Sequence, residues 1–235
     1  MKLCIFSDIH GNAYAFEKII ASMKKEKPDR YIFCGDICGY YYNQNKIIDS
    51  LYHLKNFIGV LGNHDKLFLD MFNGLGSEKD YVMKYGNSNR LLFDKITDKN
   101  LGFLQELKEQ EILNIENNKI AIFHGSPWNA LNDYVYPDSP LERFAEYEYD
   151  FIFLGNTHYP MDRQINGLRI INPGSCGQPR DSYLPSYAVL DLESRKTKII
   201  RVNYNCEALI SEIQGNNEKN RYLIDILLRG KPGRI

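Results

Sequence analysis

Five short apolar segments of this chain each run straight into a small cluster of glycine, acid, amide and imidazole. Residues 2–6 lead to Ser7-Asp8-Ile9-His10, residues 31–34 to Gly35-Asp36, and residues 57–61 to Gly62-Asn63-His64-Asp65. Residues 120–124 end in His124-Gly125, and residues 151–154 lead to Gly155-Asn156-Thr157-His158. Helical stretches separate the first three. Asn12 is placed to cap a helix whose apolar face is Phe16, Ile19, Ile20 and Met23, ended by Pro28-Asp29, and a second helix is expected near residues 45–54. The repeated strand–loop–helix order predicts an α/β fold with a mostly parallel sheet. It puts each polar cluster at the carboxyl end of a strand, where open α/β sheets place their ligand crevice.

Four of the five histidines belong to these clusters; only His53 stands outside. Imidazoles with carboxylates and a carboxamide form a ligand set for borderline divalent metals such as Zn, Mn, Fe or Ni. Side chains at i and i+2 of a strand share a face, so Asp8 and His10 are expected to reach one ion. Glycines at 11, 35, 62, 125 and 155 leave room for backbone to crowd around such a cluster.

Composition narrows the class. At 235 residues the chain suits one large α/β domain, expected to span 1–235, better than two small ones. A net charge of −1 gives no basic field, hence no strong nucleic-acid signal. The five cysteines (Cys4, Cys34, Cys38, Cys176, Cys206) match no zinc ribbon or disulfide scaffold and read as reduced thiols. No apolar run approaches the ~20 residues of a membrane span, and no signal-peptide pattern opens the chain. A cytoplasmic protein with no membrane partner is expected; homo-oligomerisation is left open.

Residues 66–110 change character: helical, rich in Lys, Asp and Asn, broken at Gly74-Leu75-Gly76. They are expected to form an insert of two or three helices beside the site. Asn117-Asn118 signals a hairpin turn, residues 138–148 read as a helix, and residues 169–172, 187–192 and 198–203 as short strands. A helical extension is expected over 205–235, interrupted near Gly215-Asn216-Asn217.

The ordered motifs resemble the calcineurin-like metallophosphoesterase superfamily, whose pattern runs D-x-H, G-D, G-N-H-[DE], H, G-H-x-H. The resemblance extends from Lys2 to about Asp191. It is closest to the small bacterial and archaeal phosphodiesterase branch, where the second motif reads G-D-x-x-G-Y, as in Gly35-Asp36-Ile37-Cys38-Gly39-Tyr40. His124-Gly125-Ser126-Pro127 and Asn172-Pro173-Gly174-Ser175, followed by Gly177-Gln178-Pro179-Arg180-Asp181, resemble that branch too. The resemblance implies a four-layer α/β/β/α sandwich of two mixed sheets and a binuclear metal centre. It implies that Asp8, His10, Asp36 and His158 bind one ion and that Asp36 bridges to a second, shared with Asn63, His124 and the residue at 156. The activity it implies is hydrolysis of a phosphate ester, most simply a nucleotide-like or small diester, by in-line attack of metal-bound hydroxide. His64 would act near the leaving group, as general acid or charge stabiliser, and Asp65 would either orient the His64 ring or compensate a helix N-terminus.

One position departs from the pattern. Asn156 stands where the family places histidine, and a carboxamide is the weaker ligand for a borderline metal, so a weaker second site or a harder ion such as Mn²⁺ is expected. Substrate contacts are assigned to Tyr40, by stacking, and to Arg90 and Arg180, by binding phosphate oxygen; plain packing and surface ion pairs are the alternatives. Phosphomonoesterases, protein phosphatases and a retromer scaffold share the fold, so a monoester activity, or a catalytically weak interaction scaffold, is the rival reading.

Overall fold

The computed structural model describes residues 1–231; residues 232–235, the end of the expected 205–235 extension, lie outside the described residues. The chain begins with β1 (Lys2–Phe6), α1 (Ala13–Lys25), β2 (Arg30–Phe33), α2 (Gln44–Tyr52) and β3 (Phe57–Gly59). Asn12 caps α1 as its sequence predicts, its side-chain oxygen accepting the Ala15 N–H at 3.1 Å. Ala13, Ala15, Phe16, Ile19 and Met23 are its buried residues, and burying a side chain such as Phe16 contributes about 1.5–3 kcal/mol.

The next third is helical: α3 (Asn63–Phe72), α4 (Glu78–Tyr85), α5 (Ser88–Phe93) and α6 (Asp98–Glu106). The insert thus holds four helices rather than two or three, and the first starts within the third motif, at Asn63. β4 (Gln110–Ile115) and β5 (Asn118–Phe123) follow as a hairpin. Its turn lies one residue earlier than expected, with Glu116 and Asn117 both left-handed at φ 49° and 63°, the conformation a two-residue hairpin needs. Then come β6 (Phe151–Phe153), β7 (Pro160–Ile165), β8 (Leu168–Pro173), β9 (Ser186–Asp191), β10 (Lys196–Arg201), α7 (Glu207–Gly215) and α8 (Tyr222–Asp225).

The strands form two five-stranded mixed sheets, ordered β10-β9-β1-β2-β3 and β4-β5-β6-β8-β7. Each is built on a parallel triplet: β1-β2-β3, extended antiparallel by β9 and β10 on the β1 side, and β5-β6-β8, flanked antiparallel by β4 and β7. The sheets face each other through one apolar layer, with Leu3, Ile5 and Ile32 on one side and Ile120, Ile122 and Phe153 on the other. The opposite face of the first sheet, Phe6 and Phe33 among it, packs on Phe16, Ile19, Ile47 and Leu51 of α1 and α2.

The outer face of the second sheet is covered differently. Phe123, Ile152 and Ile170 pack on Val135, Leu141 and Phe144, within an excursion whose regular piece is a 3₁₀ turn, Glu142–Glu146. The helix expected over 138–148 is therefore absent: the segment is anchored through Phe144 and not by a continuous helical face. β7 had no sequence signal of its own. It is an edge strand that buries Met161 alone, and its pairing with β8 supplies the rest of its reason to be extended.

Candidate metal centre

The loops after the parallel strands carry the motif residues to one point, but not by the strand alternation expected for Asp8 and His10. Both lie beyond β1 in left-handed backbone, at φ 55° and 50°. Asp36 (φ 69°), Asn156 (φ 65°) and His158 (φ 62°) share that conformation, which is uncommon for residues with a side chain and concentrates at functional sites. The strained loops are held by backbone bonds: Asp8 N–H donates to Gly35 O at 2.9 Å and His10 N–H to Asp36 O at 3.1 Å. The Asn172-Pro173-Gly174-Ser175 stretch closes over them. Ser175 Oγ and the Gly177 N–H donate to the Asp8 carbonyl at 2.8 and 2.9 Å, and Asn172 Nδ2 donates to Gly155 O at 2.7 Å. Gly62 is required by space: a Cβ there would stand 2.3 Å from the Asp36 nitrogen.

Three imidazoles are fixed in the same way. His10 Nδ1 lies 2.8 Å from Cys38 O, His124 Nδ1 2.7 Å from Cys34 O, and His158 Nδ1 2.6 Å from Gln178 O. A carbonyl only accepts, so each Nδ1 carries its hydrogen and each neutral ring presents a lone pair at Nε2. Those Nε2 atoms converge on two buried carboxylates. His10 stands 3.7 Å and His158 3.2 Å from Asp8 Oδ1; His10 stands 3.6 Å and His124 3.2 Å from Asp36 Oδ2. Ligand atoms of Asp8, His10 and His158, and again of Asp8, Asp36 and His124, lie within 4.8 Å of one another.

This arrangement fits cations. The Nε2 atoms of His10 and His158 face each other at 3.1 Å, two lone pairs that repel unless a positive centre is shared between them. Both oxygens of Asp8, Oδ1 of Asn63 and Nε2 of His124 are buried without a hydrogen-bond partner, a costly state for polar atoms unless an ion satisfies them. Burial, with the Asp36 charge adding and His124 opposing, pushes the Asp8 carboxyl up to about 7. Burial also holds His10 down to about 3, against the pull of Asp36. At His124 the desolvation is outweighed by the adjoining Asp36, and the ring is raised to about 9. Two acids and three imidazoles in one dry pocket thus compete for protons, a competition that divalent cations held by the deprotonated forms would remove.

Residues 1–195 match the family model of the calcineurin-like phosphoesterase superfamily domain. The chain belongs to that superfamily. This metallophosphoesterase, a hydrolase of phosphoric esters, is 33% identical over 234 residues to an uncharacterised protein of Methanocaldococcus jannaschii, covering 91% of this chain and 92% of that one. It is 24% identical over 209 residues to a phosphodiesterase of the same organism, covering 85% and 98%. Its fold is that of a metallophosphoesterase from Sphaerobacter thermophilus, with a TM-score of 0.82 at 23% identity over 98% of this chain and 99% of the other. No helix among the described residues is long and apolar enough to cross a membrane.

In this phosphoesterase His64 lies at the rim of the cluster, its ring 5.1 Å from that of His10. Its orientation does not come from Asp65. The Asp65 carboxylate accepts four backbone N–H groups, from Gly62 (3.0 Å), Asp36 (3.0 Å), Ile37 (2.9 Å) and Cys38 (2.7 Å), so it starts α3 and clamps the Asp36 loop. The partner of His64 Nδ1 is the Tyr81 hydroxyl at 3.2 Å, and the Tyr85 ring packs on His64 at 4.6 Å. Both come from α4 in the insert. Sequence reasoning missed them, although two tyrosines at i and i+4 of α4 were the available signal.

Of the residues assigned to substrate, two reach the centre. Tyr40 packs on His10 at 4.7 Å and on His64 at 4.9 Å, but it is only 6% exposed and its ring is enclosed by protein. Arg180 is half-buried, with a buried Nε that has no partner, and lies within electrostatic reach of Asp8. Arg90 is not brought in: it is exposed on α5, and no described contact joins it to the cluster. Asn156 is buried in the loop between Gly155 and His158, and its Nδ2 donates to the Asp133 carbonyl at 2.8 Å.

Proposed function

We propose that this enzyme hydrolyses phosphodiesters of nucleotide-like or other small alcohols with two divalent ions. Asp8, His10, Asp36 and His158 would hold one; Asp36, Asn63, His124 and Asn156 the other. The observation that carries this reading is the convergence of three carbonyl-fixed imidazoles on Asp8 and Asp36. Asp36 suits the bridging place because its Oδ2 faces both His10 and His124, while its Oδ1 is occupied by the His64 N–H at 2.8 Å. Such ions, when bound, supply positive charge to the phosphoryl oxygens and acidify water for in-line attack.

The protein's own groups do the rest. Arg180 has the charge and the unpaired donor to hold a non-bridging phosphoryl oxygen. His64, with Nδ1 on Tyr81, keeps Nε2 for a proton to the departing oxygen. Burial pushes His64 down to about 4, with Asp36 opposing, and an anionic ester in the pocket adds to that opposition. The similarity to a protein named as a phosphodiesterase supports our choice of a diester. Five free, buried cysteines suit a reducing compartment, so we place the enzyme in the cytoplasm.

The test is hydrolysis of bis(p-nitrophenyl) phosphate with added Mn²⁺, beside the monoester. Diester turnover is expected to exceed monoester turnover and to vanish with EDTA. Asp36→Asn is expected to lower it at least about 10²-fold, the scale of losing metal-centred charge stabilisation. Turnover indifferent to EDTA and to Asp36→Asn would overturn the assignment. The two sites should also differ in strength. After dialysis the wild type is expected to retain about one tightly held Mn²⁺ per chain and Asn156→His about two, read by elemental analysis; two retained by the wild type would show that the carboxamide costs nothing.

A further inference from the structure

Between His124 and β6 the chain makes the excursion that covers the second sheet, and it leaves two large aromatic rings in solvent. Tyr134 is 47% and Tyr136 38% exposed. The two rings stack at 6.2 Å with 13° between their planes, and Tyr136 meets Tyr159 edge-on at 6.0 Å. This ladder is fastened to the candidate metal centre at both ends. Asn156 Nδ2 holds the carbonyl of Asp133, the residue before Tyr134, and Tyr159 directly follows His158. The turn between is fixed as well: the Tyr136 N–H donates to Ser139 Oγ at 2.9 Å, the Ser139 N–H donates to Tyr136 O at 3.0 Å, and Arg163 Nη1 donates to Ser139 O at 2.5 Å. Tyr136, Pro137, Asp138 and Tyr159 line a shallow, open hollow on this surface, a face on which a planar group can lie against the rings.

Rings held by a fixed backbone lose little freedom on binding, and a tyrosine face accepts any planar base. Tyr40, the ring the sequence suggested for stacking, is enclosed; these are open. Tyr134 also lies within electrostatic reach of Arg180, which links the ladder to the place proposed for phosphate.

We propose that Tyr134, Tyr136 and Tyr159 form a base-binding subsite, stacking the nucleobase of a nucleoside phosphate whose phosphate lies at the metal centre beside Arg180. The proposal rests on the phosphodiesterase reading for the position of the phosphate. It gives the amide at 156 a second task. On the ligand set proposed above, one side chain would spend its N–H on the ladder's backbone and its oxygen on the second ion, so that a common residue would set both the base subsite and the phosphate site. The Asp138 carboxylate in the cleft offers an acceptor to a base amino group or a ribose hydroxyl.

Calorimetric binding of AMP, ribose 5-phosphate and phenyl phosphate to the full-length protein in Mn²⁺ tests this without turnover. AMP is expected to bind at least about fivefold tighter than ribose 5-phosphate, the lower end of a base–aromatic stack. Tyr134→Leu and Tyr136→Leu, both at exposed positions, should bring that ratio toward one while ribose 5-phosphate affinity holds. Equal affinities in the wild type, or a preference that survives both substitutions, would overturn the subsite. Phenyl phosphate matching AMP would reassign the ladder to aryl esters and overturn the nucleoside assignment. Equal binding of AMP and ribose 5-phosphate with diester hydrolysis intact sinks the subsite alone; no binding by any of the three phosphates sinks the phosphate site and the subsite with it.

Discussion

His64→Ala is expected to lower kcat on an alkyl phosphodiester about 10²–10⁴-fold, the range of a lost general acid, while a p-nitrophenyl diester keeps most of its rate. The reason is the leaving group. An alkoxide is too basic to depart without a proton, whereas nitrophenolate leaves as a stable anion and needs none. The proposed proton donation by His64 draws on the Tyr81 hydroxyl at its Nδ1 and on the rings of Tyr40 and Tyr85 packed around it. The retained Mn²⁺ should be unchanged, since His64 is not among the proposed ligands. Steady-state kinetics on the two esters, with metal content measured on the same samples, decides the role. Equal losses on both would assign His64 to phosphoryl charge stabilisation, and full retention on both would remove it from the reaction.

Asp65→Ala should be the most damaging single change to the stability of the centre. Four N–H groups, from Gly62, Asp36, Ile37 and Cys38, lose their common buried acceptor. Bonds to a charged acceptor contribute about 1.5–3 kcal/mol each, and the losses within one carboxylate do not add fully, so about 3–5 kcal/mol is expected. For a chain of this size that lowers Tm by roughly 6–20 °C. The scan belongs in EDTA, so that weakened ion binding cannot account for the shift. Asp65→Asn should fall between, because its amide keeps one acceptor oxygen and turns an NH₂ toward the donors. A preserved Tm with a depressed kcat would restore the alternative in which Asp65 serves His64 alone.

Both expectations turn on contacts that no motif announces. The strands were legible: the β-branched and aromatic runs at 2–6, 31–34, 57–61, 120–124 and 151–154 each became a strand or the end of one, because a buried parallel strand needs an uninterrupted apolar run. So was their placement, since glycine, acid and imidazole directly after such runs put polar groups at the carboxyl ends of parallel strands, here in two facing sheets. The weaker elements were not legible. β7 is extended because β8 lies beside it, and residues 138–148 stay irregular because packing Phe144 onto the second sheet supplies their stability.

At the site the division is sharper. The sequence by itself determined the donor set: which side chains meet, and that imidazole and carboxylate are their chemistry. It determined this because those residue types follow the carboxyl ends of the parallel strands of both sheets. Only the tertiary structure decided how they meet. Left-handed loops, and not strand alternation, aim Asp8 and His10. Backbone carbonyls choose the tautomer of three histidines, and Asp65 holds a loop and not a ring. Tyr81 reaches His64 from a helix seventeen residues further along the chain. These are contacts of backbone atoms and of a single hydroxyl; the first leave no spacing that a linear sequence displays, and the second leaves only two tyrosines four residues apart, which do not name His64 as their target.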